Sequence, residues 1–283
     1  MQMATGAAAA SKSVPSFSAL TKKHLPVEVW ELVIDHLHDD FQALLACSLT
    51  CTAFVSRSRR HLWKRIVLTN KEHANHFAQA FLDDRRNWNA VRELVISGEL
   101  FVRQEGSATP LIFPALSNLR TVVICDLQVD AYEDALACLL PLRRSITRLS
   151  LSGARFQTFP LLAAFILNFQ NLQSLALSHV SSVKTIMPAD VEQYAPQLPL
   201  TVFDFRLSSF YNQYRESTKL VLASRIATPT LACLRLRVPL GTVVAGDVER
   251  LVTMNKATLH TLVIDYGAAG YDDRTSTRSS DHK

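Results

Sequence analysis

The chain has 283 residues, 48% of them hydrophobic, and a formal net charge of +5, which is apolar material enough for one large or two small domains. Its purely apolar runs, such as residues 160–167, fall far short of the roughly 20 residues that span a bilayer, and its lysines and arginines are scattered rather than gathered into a stripe for nucleic acid. Five cysteines, set inside apolar patterns and with no Asn-x-Ser/Thr acceptor site in the chain, point to a reducing, intracellular compartment, cytoplasm or nucleus.

Residues 1–23 are rich in Ala, Ser and Lys without periodicity and are expected to be a disordered lead. Alanines 7–10 have no sustained apolar core behind a basic start, so no secretory signal is read there. Residues 24–68 carry helical patterns. Pro26 suits a first helical position because its missing N–H has no partner to lose there. Pro26, Val29, Trp30, Val33, Ile34 and Leu37 then fall at three-four spacing on one face, with Glu28, Glu31 and Asp35 on the other. His38-Asp39-Asp40 breaks the pattern. A second helix is predicted from Phe41 through Leu44 and Leu45 to Leu49, and a third from Phe54 toward Leu62 and Trp63. Three short helices have too much surface for their volume to bury all of this against one another, and the leftover apolar face is expected to meet a partner.

These residues resemble an F-box. The Leu25-Pro26 opening, the acid at Glu28, Ile34 with Leu37, then Leu44, Cys47, Ser48 and Cys51, and the closing Leu62-Trp63 match that family's composite pattern over about 40 residues. The Cys-Ser-x-x-Cys step and the His-Leu-His-Asp-Asp break are similar to fungal members. The resemblance implies docking on a Skp-type adaptor, and through it on the cullin of an SCF-type ubiquitin ligase. Its contact residues would be Leu25, Pro26, Val29, Val33, Ile34, Leu37, Leu44 and Leu49. The alternative is an ordinary helical cap on a larger domain.

Residues 64–68 read as a basic junction, and 69–90 as a linker helix with Phe77, Ala78, Phe81 and Leu82 on its apolar side. From 91 to 267 a repeat takes over. Leu94/Ile96, Val122/Ile124, Leu149/Leu151, Leu175/Leu177, Phe203/Phe205, Leu234/Leu236 and Leu262/Ile264 are seven apolar-x-apolar steps at intervals of 28, 27, 26, 28, 31 and 28 residues. Val91, Leu119, Ile146, Leu172, Leu200, Leu231 and Leu259 each stand three residues ahead. Such spacing means one structural unit used seven times, with helical stretches predicted at 131–142, 161–169, 220–226 and 248–254.

This pattern resembles leucine-rich repeats, which implies an α/β architecture: a curved parallel sheet with helices on the convex side. The Asn or Cys that usually follows the strand in that family is missing except at Cys125, so irregular turns are expected. A doubly wound α/β sheet is the alternative, but residues 100–106 form no glycine-rich phosphate loop to favour it.

Alternate strand residues, from Glu93, Val95 and Ser97 to Thr261, Val263 and Asp265, are expected on the concave side, because successive strand side chains point opposite ways. Arg206, Arg235 and Arg237 gather there beside Asp204 and Asp265, with Arg148 alone earlier. These six are the candidate substrate-binding residues, since guanidinium forks suit a carboxylate or phosphate. The competing reading is a solvated face with local pairs such as Arg206 to Asp204. Residues 268–283 form a polar tail.

Cys47 and Cys51 lie one turn apart but lack the further ligands that a metal site needs. His36, His38, Asp39 and Asp40 fall where a helix gives way to a turn. No nucleophile elbow, phosphate loop or His-Glu-x-x-His helix occurs, so the sequence proposes no catalytic residue, metal or cofactor. The expectation is a non-enzymatic adaptor that joins a Skp-type subunit to an unidentified protein substrate, with no membrane or nucleic-acid partner. A non-ligase repeat scaffold with a helical N-terminal cap is the alternative.

Overall fold

Pro26 stands as the N-cap of helix α1 (Val27–His36) in a computed structural model that describes residues 25–83, 85–101, 113–182, 198–206, 230–239, 249 and 252–267. The expected lead at 1–23, the helical stretch at 220–226 and the tail at 268–283 lie outside these residues. The chain divides into two units, residues 1–58 and 59–283.

In the first unit α1 is followed by α2 (Phe41–Thr50) and by most of α3 (Thr52–Leu62), whose last four residues belong to the second. The His38-Asp39-Asp40 break has a local cause. Asp40 adopts extended backbone and its carboxylate accepts the Ala43 N–H at 2.9 Å, satisfying one of the orphan donors that open a helix. Ile34 and Leu44, each 2% exposed, fill the interior, and the Trp30 and Phe54 rings meet at 5.4 Å between centroids.

The second unit is an α/β ladder. Its strands are β1 (Arg65–Leu68), β2 (Glu93–Ser97), β3 (Thr121–Cys125), β4 (Arg148–Ser152), β5 (Arg155–Phe156), β6 (Ser174–Ser178), β7 (Ser181–Ser182), β8 (Val202–Arg206), β9 (Cys233–Pro239) and β10 (Thr261–Gly267). Helix α4 (Lys71–Asp83) follows β1, α5 (Tyr132–Leu139) follows β3 and α6 (Phe159–Leu167) follows β5. Of the stretch predicted at 248–254, the described residues 249 and 252–254 are helical.

Eight strands form one all-parallel sheet in the order β1-β2-β3-β4-β6-β8-β9-β10, and β5 pairs with β7 in a second, small one. All seven predicted strands are present. Leu94, Val122, Leu149, Leu175, Phe203, Leu234 and Leu262 are register partners from strand to strand, so the repeat interval is the sheet register. The order never reverses. A doubly wound sheet binds its ligand at the point of reversal, and this sheet has no such point.

β1 corrects the sequence reading. Residues 64–68, taken as a basic junction at the end of the helical segment, form an eighth strand in which Ile66 is the partner of Leu94, 28 residues on. Trp63, three residues before Ile66, takes the place that Val91 and Leu119 hold in the next repeats and packs against the same core. The basic Lys64 and Arg65 hid the step because only the alternate residues of a strand are buried.

One hydrogen-bond column runs the length of the ladder. The carbonyl just before each strand accepts two N–H groups from the next repeat: Lys64 accepts from Arg92 and Glu93 at 2.9 and 3.0 Å, and so on to Ala232, which accepts from His260 and Thr261 at 2.9 and 3.1 Å.

Three of the turns that leave the strands share one conformation. Asp126, Gly153 and His179 each stand four residues after Val122, Leu149 and Leu175, with φ of 57°, 68° and 54°. Each donates its N–H to the carbonyl that ends the next strand: Asp126 to Ser152, Gly153 to Ser178 and His179 to Arg206, at 2.7, 2.9 and 3.2 Å. The turn demands a left-handed backbone, which glycine meets without strain and Asp and His meet more often than most residues. A demand on conformation rather than on one residue type leaves no fixed letter in the sequence.

The core lies on one face of the sheet. Strand residues such as Leu94, Ile96, Val122, Ile124, Leu149 and Leu151 join Leu119, Ile146 and Leu172 there, all buried. Phe156, Phe165 and Phe169 stack onto it, with neighbouring ring centroids 5.9 and 5.5 Å apart. The other face of the sheet is open to solvent.

Candidate functional site

Two surfaces stand out, one in each unit. In the first, Leu25, Val27, Val29, Trp30, Leu32, Val33, Phe41, Leu45 and Leu49 are nine of the fourteen large apolar side chains exposed among the described residues. Scattered exposed apolar residues need no explanation, but a concentration of them does. Leu49 is 79% exposed, Leu32 61% and Phe41 60%. The cause is the one anticipated from size: α1 and α2 are apolar on more of their circumference than three short helices can cover.

The eight residues that the family resemblance carries over divide by burial. Leu25, Pro26, Val29, Val33 and Leu49 are exposed and Leu37 is half-buried. Ile34 and Leu44 are interior. Periodicity placed Ile34 on the same apolar stripe of α1 as Val29 and Val33, and Leu44 with Leu45 and Leu49 on α2; the structure turns Ile34 and Leu44 toward the unit's own centre, where they support the surface without forming it.

An ion pair holds α1 against α3. The Arg57 Nε donates to Asp35 Oδ1 at 2.6 Å and its Nη2 donates to Oδ2. Hydrogen bonding to the Asp35 carboxylate holds the Arg57 guanidinium above its ordinary range, and partial desolvation opposes this. At the end of α1, His38 donates from Nδ1 to the Asp35 carbonyl at 3.0 Å while its Nε2 lies 2.9 Å from Asp39 Oδ2. Cys47 is half-buried and Cys51 exposed, both as free thiols.

The second surface is the open face of the sheet. Register fixes its rows. Arg65, Glu93, Thr121, Arg148, Ser174, Val202, Cys233 and Thr261 form one row, and Val67, Val95, Val123, Ser150, Ala176, Asp204, Arg235 and Val263 the next. Ser97, Cys125, Ser152, Ser178, Arg206, Arg237 and Asp265 form the third. The face is therefore valine-rich over β1–β3, small and polar over β4–β6, and charged over β8–β10.

All six candidate substrate-binding residues lie on this face, and the charged ones are partly matched. Arg206 Nε is 3.4 Å from Asp204 Oδ1 along its own strand, and Arg237 Nε donates to Asp265 Oδ2 at 2.8 Å across to β10. Arg65 likewise meets Glu93 at 3.1 Å. Arg148 and Arg235 are exposed and form no ion pair among the described residues. Sequence reading missed the Arg237–Asp265 and Arg65–Glu93 pairs, although each spans 28 residues, within the range of the repeat intervals themselves.

Burial, and after it the neighbouring Asp126 carboxylate, push the Cys125 thiol up. Among the described residues no group of three His, Cys, Asp or Glu side chains is placed to hold a metal ion, and no helix is long and apolar enough to cross a membrane. No protein-family model matches the chain, and no curated protein is significantly similar to it.

Proposed function

We propose that this chain is the substrate-recognition adaptor of an SCF-type ubiquitin ligase: α1–α3 act as an F-box that docks on a Skp-type adaptor, and the sheet unit, a leucine-rich-repeat domain, recruits a protein substrate on its open face. The observation that carries the reading is the concentration of exposed apolar side chains over residues 25–49, at positions where the sequence resembles the F-box pattern. Burying side chains of this kind stabilises an interface by roughly 1.5–3 kcal/mol each when burial is complete, which gives a partner covering this surface a driving force to set against the entropy cost of association. The sequential parallel order, the 26–31-residue interval and the recurring left-handed turn support the repeat assignment.

The mechanism is proximity. Ubiquitin transfer takes place on other subunits, and this chain raises the effective concentration of a substrate at the ligase rather than supplying an acid, base or nucleophile.

The test is capture of recombinant Skp adaptor by the full chain, alongside a Val29→Asp, Val33→Asp variant. Both positions are exposed, so the charges should leave the helices folded and abolish a stoichiometric complex. Ile34 and Leu44 are unsuitable, since a charge there would unfold the unit. If the folded wild-type chain fails to capture the adaptor, the ligase reading falls and a repeat scaffold with a helical cap takes its place.

A further inference from the structure

The geometry points to an extended acidic segment, carrying two carboxylates four residues apart, as what the open face recruits, with Arg148 and Arg235 as its two anchors. This rests on the open face being the recruiting surface proposed above, and adds the chemistry of the recruited chain.

Four arginines stand on the open face from β4 to β10, against the two aspartates Asp204 and Asp265. Arg206 and Arg237 each lie against one of these acids, which leaves two positive charges unmatched. The register explains which two. Arg148 has Thr121 and Ser174 as its strand-to-strand partners, neither of them acidic. Arg235 is the partner of Asp204, but the Asp204 carboxylate lies along its own strand with Arg206, and on the other side Arg235 meets Val263. Both arginines are exposed, and guanidinium forks bind carboxylates with two parallel hydrogen bonds when one is supplied.

The spacing sets the length of the segment. Arg148 opens β4 and Arg235 is the third residue of β9, three strands away. At about 4.8 Å per strand and about 3.3 Å per residue the two Cα atoms lie roughly 16 Å apart. An extended chain crosses about 13 Å in four residues, and positions i and i+4 point to the same side; the length of the arginine side chains covers the difference. Ser174, Ala176 and Val202, which lie between, are all short, and Asp204, also between, has its carboxylate against Arg206, so the segment can rest on the sheet. Nucleic acid fits less well: the surplus is two charges rather than a tract, and the open-face rows carry no aromatic ring for a base to stack on.

The test uses the full chain and a fluorescein-labelled peptide, Gly-Ser-Glu-Ser-Gly-Ser-Glu-Ser-Gly, read by anisotropy at low salt, where pairs of exposed charges are least screened. Three further peptides replace both Glu by Gln, replace both Glu by phosphoserine, or bring the two Glu next to each other. The Glu peptide should bind about tenfold more tightly than the Gln or adjacent-Glu peptide. Arg148→Gln and Arg235→Gln should each weaken it several-fold and together abolish it, while Arg155→Gln, an exposed arginine of the small sheet, should change nothing.

Unchanged affinity in the double variant, or equal loss in Arg155→Gln, would overturn the assignment of these anchors. Binding of the phosphoserine peptide alone would overturn the carboxylate in favour of a phosphorylated segment. Adaptor capture measured on the same samples separates the two proposals. Capture without peptide binding removes this inference alone; peptide binding through the two arginines without capture removes the ligase reading and leaves this one standing.

Discussion

Asp35 and Arg57, 22 residues apart, form a two-point ion pair that ties α1 to α3. It matters because the first unit has so little interior: Ile34 and Leu44 are its buried large side chains. Both partners keep about a third of their side-chain surface in water, 30% each, so the pair contributes on the order of 1 kcal/mol rather than the several of a buried one. Arg57→Gln should lower the stability of the first unit by about that amount. Amide exchange in α1 should quicken while the sheet amides keep their protection, and equal quickening in both would mean that the two units unfold together.

Trp63 separates two accounts of the same residue. In the F-box resemblance it closes the docking helices; in the structure it packs beside Phe77, ring centroids 6.0 Å apart, on the core of the sheet unit. Trp63→Ala opens a space in that core and should cost about 2–4 kcal/mol, somewhat under the range for a fully buried aromatic. Urea unfolding would show the loss in the sheet unit, with adaptor capture by the folded fraction unchanged. Loss of capture with stability intact would assign Trp63 to the docking surface instead.

Gly98 and Gly153 occupy equivalent places after β2 and β4, and alanine should harm them for different reasons. Gly153 has φ of 68°, and an added Cβ would come within 2.2 Å of Asp126 Oδ1, a side-chain atom that can swing away. At Gly98 the Cβ would meet Leu127 Cα at 2.3 Å and Leu127 N at 2.6 Å, backbone that cannot move without breaking the neighbouring repeat. Gly153→Ala should destabilise by about 1–2 kcal/mol. Gly98→Ala should lower the midpoint of thermal unfolding further, and the opposite ranking would show that backbone conformation outweighs the contact.

Seven strands of the large sheet were legible in the sequence because one face of the sheet is buried and the other is not. That asymmetry writes a period of two at every repeat, and the constant interval follows from an unbroken register. The features that were not legible need information other than residue type. Asp126, Gly153 and His179 share a backbone conformation and no chemistry. Ile34 shares an apolar stripe with Val33, and Leu44 an apolar helix with Leu45 and Leu49, and periodicity cannot say which part of a wide stripe faces inward. Arg206 with Asp204 could be read within one strand, whereas Arg237 with Asp265 needed the neighbouring one.

Cys125 ends the third strand half-buried, beside Asp126, and both surroundings disfavour its thiolate, burial more than charge. The thiolate is the nucleophile, so Cys125 should alkylate several-fold more slowly with iodoacetamide at mildly alkaline pH than Cys51, which is exposed. The linkage has a definite sign. A pKa raised in the folded state means that the native chain holds its proton longer than the unfolded one. The resulting stability is complete below the ordinary thiol range and is lost as pH rises from that range through the raised value of the folded state. Cys125→Ala should flatten that alkaline decline. Asp126→Asn separates the causes, because Asn tolerates the left-handed turn that Asp126 occupies at φ of 57°. If burial dominates, alkylation of Cys125 speeds only slightly in this variant and stays slower than that of Cys51; if it rises to match Cys51, the carboxylate and not the burial was holding the proton.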